Sequence, residues 1–279
     1  MTTDSIVRGG TTPASAPRTI KALVLDWAGT TVDFGSCAPA ATFVEAFAQH
    51  GVTITQADAR APMGMAKRDH IAAIARTPGA TAQWSAKHGR PFGEGDIDAI
   101  YATFLPLQEA CVERFSEVIP GALEMLAWMR SRSIRVGSAT GYTRPIMDRV
   151  MAAATRQGFE VDCMLCATDI EHGRPHPWIV FENMRRLNVY PPAAVVVVDD
   201  TVVGVQSGVN AGAWAVGVVA SGNLVGLDQK SFEHLPDAER TRRIADARRT
   251  LLDAGAHFVI DTVADLPEVV RRIEAMPRN

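Results

Sequence analysis

Short apolar runs alternate with amphipathic stretches over most of this sequence. The continuous apolar run Ala22–Leu25 predicts a strand that is buried on both faces. Residues 193–198 give the strongest strand pattern, and further strand patterns lie at 134–137, 161–167, 214–219 and 257–260. Helical patterns separate them, at 122–131, 144–157, 178–187, 205–211, 240–254 and 266–275. The alternation predicts an α/β fold, a Rossmann-like parallel sheet with helices on both faces.

A helical block interrupts this alternation after the first strand. Helical patterns lie at 37–50, 62–76, 84–87 and 95–113, and we find no convincing strand pattern between residues 51 and 115. We therefore predict an inserted α-helical cap domain at 37–116, and a core domain formed by 20–36 and 117–279. Residues 1–19 are rich in Thr, Ser, Pro and Gly, which predicts a disordered tail.

Composition and charge narrow the possible function classes. The chain has 279 residues, of which 47% are hydrophobic, so it can bury a sizeable core. Its net charge of -3 argues against nucleic acid as the main partner. No apolar run approaches the roughly 20 residues that span a bilayer, and the N-terminus lacks the apolar core of a signal peptide. We therefore expect a cytoplasmic protein that does not insert into a membrane.

The four cysteines are too few for a disulfide scaffold at this length. Cys163 and Cys166 have the spacing of a metal-binding pair, but a zinc site needs two more ligands at similar spacing and none is evident. We interpret the pair as structural, within an apolar strand.

Polar side chains follow several of the predicted strands. Asp26 ends the first strand, a turn with Ser138 and Thr140 follows another, and Asp199 and Asp200 follow the strongest. Because the carboxyl ends of parallel strands meet at one edge of a sheet, we expect these groups to lie close together. Two carboxylates from different strands form a minimal site for Mg²⁺ and a substrate phosphate. An Asp carboxylate can also attack phosphorus, although an Asp at a strand end, considered alone, is more often a turn residue.

One lysine in the predicted cap is a candidate for chemistry. A helix over 62–76 would place Met63, Lys67 and His70 on one face with two isoleucines. The Lys67 amine could simply extend into water above this apolar face. If the face instead turns toward the core site, burial lowers the pKa of Lys67, and a neutral amine can condense with a carbonyl to form a Schiff base.

The strand-end motifs resemble those of the haloacid dehalogenase superfamily of phosphotransferases, and the helical block resembles that superfamily's cap domain. The motifs are Asp26-Trp-Ala-Gly-Thr30, the turn with Ser138 and Thr140, and Asp199-Asp200-Thr201. Phosphatases of the superfamily usually carry a second Asp where this chain has Ala28, as the general acid for an oxygen leaving group. Its loss favours a leaving group that does not depart as an alkoxide.

Four segments together resemble the phosphonoacetaldehyde hydrolase (phosphonatase) family, a cap-bearing branch of that superfamily. They are DWAGTTVD at 26–33, PMGMAKRDH at 62–70, GSATGYT at 137–143 and GRPHPW at 173–178. The resemblance implies hydrolysis of phosphonoacetaldehyde to acetaldehyde and phosphate by cleavage of the C–P bond. Lys67 would form a Schiff base with the aldehyde, Asp26 would form an aspartyl-phosphate, and His70 would shuttle protons, although its spacing fits a plain packing role equally well. Carbon would leave into a conjugated π-system, so Ala28 would suffice.

The resemblance also implies the ligands of the site and the assembly. Mg²⁺ would be bound by Asp26, the backbone carbonyl of Ala28 and Asp200. Substrate contacts would come from Met63, Arg174 and either Ser138 or Thr140. A homodimer that forms through cap helices is also implied.

Two positions depart from the pattern of this family. Ser36 stands where the family often has Cys, which could alter substrate positioning. Gly204 stands where the family tends to have a second acidic residue, and Asp199 could compensate for it. The alternative function is that of a haloacid dehalogenase-type phosphatase or phosphomutase acting on a small phosphate ester, against which Ala28 argues. A non-enzymatic binding protein is disfavoured by the intact reactive side chains of Asp26 and Lys67.

Overall fold

The computed structural model describes residues 5–9 and 19–276, which form one seven-stranded sheet and surrounding helices. The strands are β1 Ile6–Arg8, β2 Ala22–Leu25, β3 Arg135–Thr140, β4 Cys163–Cys166, β5 Val195–Asp199, β6 Trp214–Val218 and β7 Phe258–Ile260. Their spatial order is β1-β7-β6-β5-β2-β3-β4. All neighbouring pairs are parallel except β1 and β7. The predicted α/β class is confirmed.

Six α-helices lie between β2 and β3, and the first five fall within the residues predicted to form the cap: α1 Cys37–Gln49, α2 Gln56–Arg60, α3 Lys67–Ala75, α4 Pro78–His88 and α5 Glu94–Cys111. The remaining α-helices of the described residues are α6 Ala122–Ser131, α7 Arg144–Arg156, α8 Trp178–Leu187, α9 Val202–Asn210, α10 Gln229–Glu233, α11 Asp237–Asp253 and α12 Leu266–Glu274. Short 3₁₀ turns lie at Val112–Phe115, Ala167–Asp169, Pro192–Ala194 and Val263–Asp265. None of the helices in the described part of the chain combines the length and apolar character needed to cross a bilayer.

The central strand β2 is buried on both faces, as its continuous apolar run predicts. Leu23 and Leu25 belong to a core that includes residues of α6, α7 and α12, whereas Ala22 and Val24 belong to a second core with α8. Alternate residues of a strand point to opposite faces, so helices cover β2 on both sides. The strand is therefore fixed in position, and so is the residue that follows it.

The prediction of a disordered tail over 1–19 is wrong for the residues that form β1. Ile6 is buried and pairs with Ile260 at the edge of the sheet. An antiparallel edge strand of only three residues carries too little periodicity for the sequence pattern to indicate it. Residues 1–4 and 10–18 of the predicted tail lie outside the described part of the chain.

Two local predictions near the site are corrected. Residues 138–142 were expected to form a turn, but β3 continues to Thr140 because Gly137–Thr140 pair with β4. The helix expected over 62–76 begins only at Lys67, and Gly64 in the preceding turn has φ +94°. Met63 therefore lies before the helix rather than on its face.

Candidate active site

Asp26 lies directly beyond the C-terminal end of β2, between the ends of β3 and β5. Its backbone N–H donates to the carbonyl of Val198 at 2.9 Å, and its own carbonyl accepts from Thr31 Oγ1 at 3.0 Å. These bonds fix the backbone of Asp26 relative to the neighbouring strand and the following turn. Its carboxylate therefore has a defined direction at the sheet edge, as expected for parallel strands that end together.

Three buried carboxylates meet at this edge. Asp26, Asp199 and Asp200 each offer an oxygen within 4.8 Å of the others. Asp200 accepts from Asn223 N at 2.7 Å and from Thr30 Oγ1 at 3.2 Å. Burial, and next the charge of Asp26, raises the pKa of Asp200 well above its usual value.

The arrangement fits a bound divalent cation. In the part of the chain that the structure describes, Asp200 has no ion-pair partner, although it is completely buried. Buried charges are normally paired or coordinate a metal, and clustered carboxylate oxygens are the ligands that hard cations prefer. Ala28, whose carbonyl was predicted as a further ligand, lines the cavity beside Asp26. These residues could hold a metal ion.

Arg174 joins two of the carboxylates. Its Nη1 lies 2.9 Å from Asp26 Oδ1 and 3.1 Å from Asp199 Oδ2, and its Nη2 donates to the carbonyl of Ala139 at 2.8 Å. Burial raises the pKa of Asp26 to about 7, while the Arg174 charge acts in the opposite direction. The guanidinium of Arg174 can therefore contact both Asp26 and an anionic group that is bound next to Asp26.

Lys67, the first residue of α3, points into the same cavity from the cap. Its side chain is buried, and the residue is only 4% exposed. Nζ lies 4.8 Å from the ring centre of Tyr142 and 5.4 Å from that of Phe43. Burial lowers the pKa of Lys67 to about 8, although the charge of Asp26 opposes this shift. The interpretation of Lys67 as a side chain extending into water is therefore wrong, and its amine is partly neutral near physiological pH.

The cavity between cap and core is small. Its core walls include Asp26, Ala28, Thr140, Tyr142, Arg174 and Thr201, and its cap walls include Met63, Gly64 and Lys67. Its volume is about 20 Å³, room for about one water molecule. The two parts of the chain are thus closed over the reactive groups.

The two hydroxyls proposed as alternative phosphonyl ligands are placed differently. Thr140 lines the cavity, and its Oγ1 accepts from Tyr142 N at 3.1 Å. Ser138 is not among the lining residues, and its hydroxyl donates to the carbonyl of Cys163 on β4 at 3.3 Å. The geometry therefore favours Thr140.

His70 lies one turn beyond Lys67, behind the cavity wall. It is completely buried and stacks on Phe43 with ring centres 3.8 Å apart. Nε2 donates to the carbonyl of Ala59 at 2.8 Å, whereas Nδ1 has no hydrogen-bond partner among the described residues. Burial lowers the pKa of His70 well below its usual value, so the ring is neutral and Nδ1 carries a free lone pair.

Comparison with known proteins places this geometry in a family. Residues 20–212 match the haloacid dehalogenase-like hydrolases. The chain is 46% identical over 256 residues to a phosphonoacetaldehyde hydrolase of Paraburkholderia phytofirmans, covering 92% of this chain and 96% of that protein. It is 45% identical to a phosphonoacetaldehyde hydrolase of Klebsiella pneumoniae, with the same coverage. The chain belongs to the phosphonoacetaldehyde hydrolase family.

A solved structure agrees with this placement. The crystal structure of a phosphonoacetaldehyde hydrolase-like protein from Oleispira antarctica superposes with a TM-score of 0.90 at 38% identity, covering 96% of each chain. The cap and the core of this family member therefore have a close structural counterpart, and the resemblance seen in the four sequence segments is confirmed over nearly the whole chain.

The departure from the family pattern at position 204 has a structural reason. A Cβ placed on Gly204 would lie 1.9 Å from Cγ of Asp199. The Asp199 carboxylate, with Oδ1 held by Thr201 N at 2.9 Å, thus occupies the volume that a side chain at 204 would need. The other departure, Ser36, lines the cavity with φ 49°.

Three further residues of this site lie within the sequence motifs quoted above, although the sequence assigned them no role. Tyr142 forms the platform below Lys67, and its hydroxyl is buried without a hydrogen-bond partner among the described residues. Thr201 and Gly64 form one of the contacts between core and cap, where a Cβ on Gly64 would lie 2.3 Å from Thr201 Oγ1. The positions of Tyr142 and Thr201, beside strand ends that were already singled out, could have identified them.

Proposed function

We propose that this protein hydrolyses phosphonoacetaldehyde to acetaldehyde and phosphate by cleaving the C–P bond. The observation that carries this proposal is the pairing of two reactive groups in one closed cavity. Asp26 enters from the core, and the buried, partly neutral amine of Lys67 enters from the cap. Ala28 occupies the position at which a general acid for an oxygen leaving group would be expected.

Lys67 acts first. Its neutral Nζ attacks the aldehyde carbon, and the carbonyl oxygen leaves as water, which gives an imine between Lys67 and the substrate. Phe43 and Tyr142 surround the amine with ring carbon, so solvation of the ammonium form is weak. The low polarity around Nζ favours the nucleophilic form of the amine at neutral pH.

Asp26 then attacks phosphorus. An Asp26 oxygen forms the new P–O bond while the C–P bond breaks. The electron pair of the C–P bond moves through carbon to the protonated imine nitrogen, which gives an enamine on Lys67. The enamine takes a proton at carbon, and water releases acetaldehyde and the free Lys67 amine. A second water hydrolyses the aspartyl-phosphate, which returns Asp26 and phosphate.

The carboxylate cluster supports a cation requirement. Asp26, the backbone carbonyl of Ala28 and Asp200 would hold Mg²⁺. When bound, Mg²⁺ supplies positive charge that reduces the repulsion between Asp26 and the phosphonate. Arg174 and Thr140 would bind the phosphonyl oxygens, because a guanidinium and a hydroxyl are donors that match them.

Met63 and His70 have supporting roles in this proposal. Met63 is buried in the cavity wall beside Lys67 and would contact the two-carbon part of the substrate. His70 would exchange protons during imine formation through Nδ1, the ring nitrogen that is left as an acceptor by the bond to Ala59. Its position behind the cavity wall requires a connecting water or a small movement of α3.

Trapping with borohydride tests the proposal. Incubation with phosphonoacetaldehyde and borohydride should leave a reduced two-carbon adduct on Lys67, located by mass spectrometry of peptides. A Lys67→Arg variant keeps the positive charge but cannot form the imine, so it should lose both adduct and phosphate release. Absence of the adduct, together with turnover of small phosphate esters, would contradict the proposal and favour a phosphatase or phosphomutase.

We further propose that the protein is a cytoplasmic homodimer. The family resemblance supports a dimer through cap helices, and light scattering on the purified protein tests it. A monomer at micromolar concentration would contradict the dimer.

A further inference from the structure

Arg60, the last residue of α2, connects the cap to the core. Its Nη1 donates to the carbonyl of Gly35 at 2.8 Å and to Asn223 Oδ1 at 3.1 Å. The interaction is reciprocal, because Asn223 Nδ2 donates to the backbone carbonyl of Arg60 at 3.2 Å. Arg60 belongs to a cap helix, Gly35 lies in the linker that leads into the cap, and Asn223 lies in the core loop after β6.

The same asparagine holds one of the clustered carboxylates. Asn223 N donates to Asp200 Oδ2 at 2.7 Å, and a Cβ on the preceding Gly222 would lie 2.8 Å from Cβ of Asp200. Asn223 therefore uses its backbone to hold Asp200 and its side chain to hold Arg60. Any movement of Asn223 therefore changes its contacts with both Asp200 and Arg60.

The loop around Asn223 is shaped to receive the guanidinium. Gly226 has φ +67°, which favours glycine, and a Cβ there would lie 2.9 Å from Arg60 Nε and 3.0 Å from the carbonyl oxygen of Asn223. Ser221 Oγ donates at 2.9 Å to the carbonyl of Gly29, which lies in the turn after Asp26 (the nucleophile turn). The backbone carbonyl of Ser221 accepts from Gly35 N at 2.7 Å. The loop thus joins linker, nucleophile turn and cap helix.

The closed cavity gives this connection a role. At about 20 Å³ the cavity is too small for a substrate with a phosphonyl group, so the cap must move for each turnover. The bonds of Arg60 to Asn223 and Gly35 join groups that such a movement would separate. Charge-assisted bonds of this kind contribute more than neutral ones.

We propose that Arg60 and Asn223 form a latch that holds the cap closed and couples closure to the orientation of Asp200. Both are positioning residues, and their role in catalysis rests on the proposed function. The coupling itself concerns the protein and its cation alone. By linkage, a cation that binds Asp200 in the closed state favours closure, and closure favours the cation by the same factor.

The opening of the cap can be measured without substrate. Lys67 is buried only while the cap is closed, so its acetylation by acetic anhydride, quantified by mass spectrometry, reports the open fraction. An Arg60→Met variant, which keeps the side-chain stem, should raise this rate about tenfold or more. Asn223→Ala should do the same, and the double variant should add little to either. Arg68→Met is the matched control, because Arg68 pairs with Glu94 and Asp98 inside the cap, and it should label like the wild type.

Calorimetric titration with Mg²⁺ tests the coupling. Mg²⁺ should slow Lys67 acetylation in the wild type, and Arg60→Met should bind Mg²⁺ more weakly although it touches no carboxylate of the cluster. If Arg60→Met lowers the melting temperature, Arg60→Lys, which keeps the positive charge, replaces it in both measurements. A wild-type labelling rate in folded Arg60 variants overturns the latch. Faster labelling with unchanged Mg²⁺ affinity overturns the coupling to Asp200. Neither readout uses turnover, so failure of the proposed reaction would not affect them.

Discussion

The carboxylate of Asp199 fills the space that a side chain on residue 204 would occupy. A Cβ on Gly204 would lie 2.0 Å from Asp199 Oδ2, the oxygen that pairs with Arg174 at 3.1 Å. Asp199 Oδ1 accepts from Thr201 N and, at 2.6 Å, from Thr201 Oγ1. We therefore expect Asp199, at the strand end, to take the place of the acidic group that the resemblance implies at position 204.

Substitution of Gly204 tests this exchange. Gly204→Ala should displace Asp199 from Arg174, destabilise the fold by about 1–3 kcal/mol through overpacking, and weaken Mg²⁺ binding. Asp199→Gly alone should lose Mg²⁺ affinity. The double variant Asp199→Gly with Gly204→Asp, which moves the carboxylate from position 199 to position 204, should recover part of that affinity. Thermal melting and titration calorimetry measure the two effects. Equal affinity in the single and the double variant would show that the carboxylate at 199 has no such role.

The sequence predicted the sheet and the strand-end carboxylates because both depend on local patterns. The continuous apolar runs at β2 and β5 require burial on both faces, and the strand ends then place Asp26 and Asp200 together. The contact between Arg60 and Asn223 joins residues 163 positions apart, and no local period marks it. The choice of Thr140 over Ser138 depended on tertiary contacts, because Thr140 lines the cavity whereas Ser138 Oγ donates to the carbonyl of Cys163, 25 positions away on the neighbouring strand.

The pH dependence of imine formation should follow Lys67. Since burial lowers its pKa to about 8, the ammonium form dominates below that pH and the nucleophilic amine above it. The initial rate of borohydride-trapped adduct should rise about tenfold per pH unit below 8 and level off above it. An ordinary lysine with a pKa of 10.5 would keep rising beyond pH 9. A rate that continues to climb there would mean that Lys67 is not buried in the reacting state.

Gly64 should be required for closure of the cap. Its φ of +94° disfavours other residues, and a Cβ would lie 2.3 Å from Thr201 Oγ1 across the boundary between cap and core. Gly64→Ala should lower kcat/KM about 100-fold by displacing Lys67, which follows three residues later. Gly79→Ala is the control, because nothing lies within 4 Å of a Cβ there, and this helical position should tolerate alanine with unchanged kcat/KM. Similar activity of both alanine variants would contradict the steric argument.

Removal of the divalent cation should separate the two halves of the reaction. Lys67 enters from the cap and belongs to no carboxylate cluster, whereas Asp26 shares its site with Asp199 and Asp200. Without a cation, the repulsion among these carboxylates and the phosphonate opposes attack by Asp26 but leaves the amine and the aldehyde able to condense. Treatment with a chelator should therefore abolish phosphate release, while saturating phosphonoacetaldehyde and borohydride still give the Lys67 adduct. Readdition of Mg²⁺ should restore phosphate release. If the adduct disappears together with phosphate release, the cation is needed to form the Lys67 site itself, and the independence of the two steps is refuted.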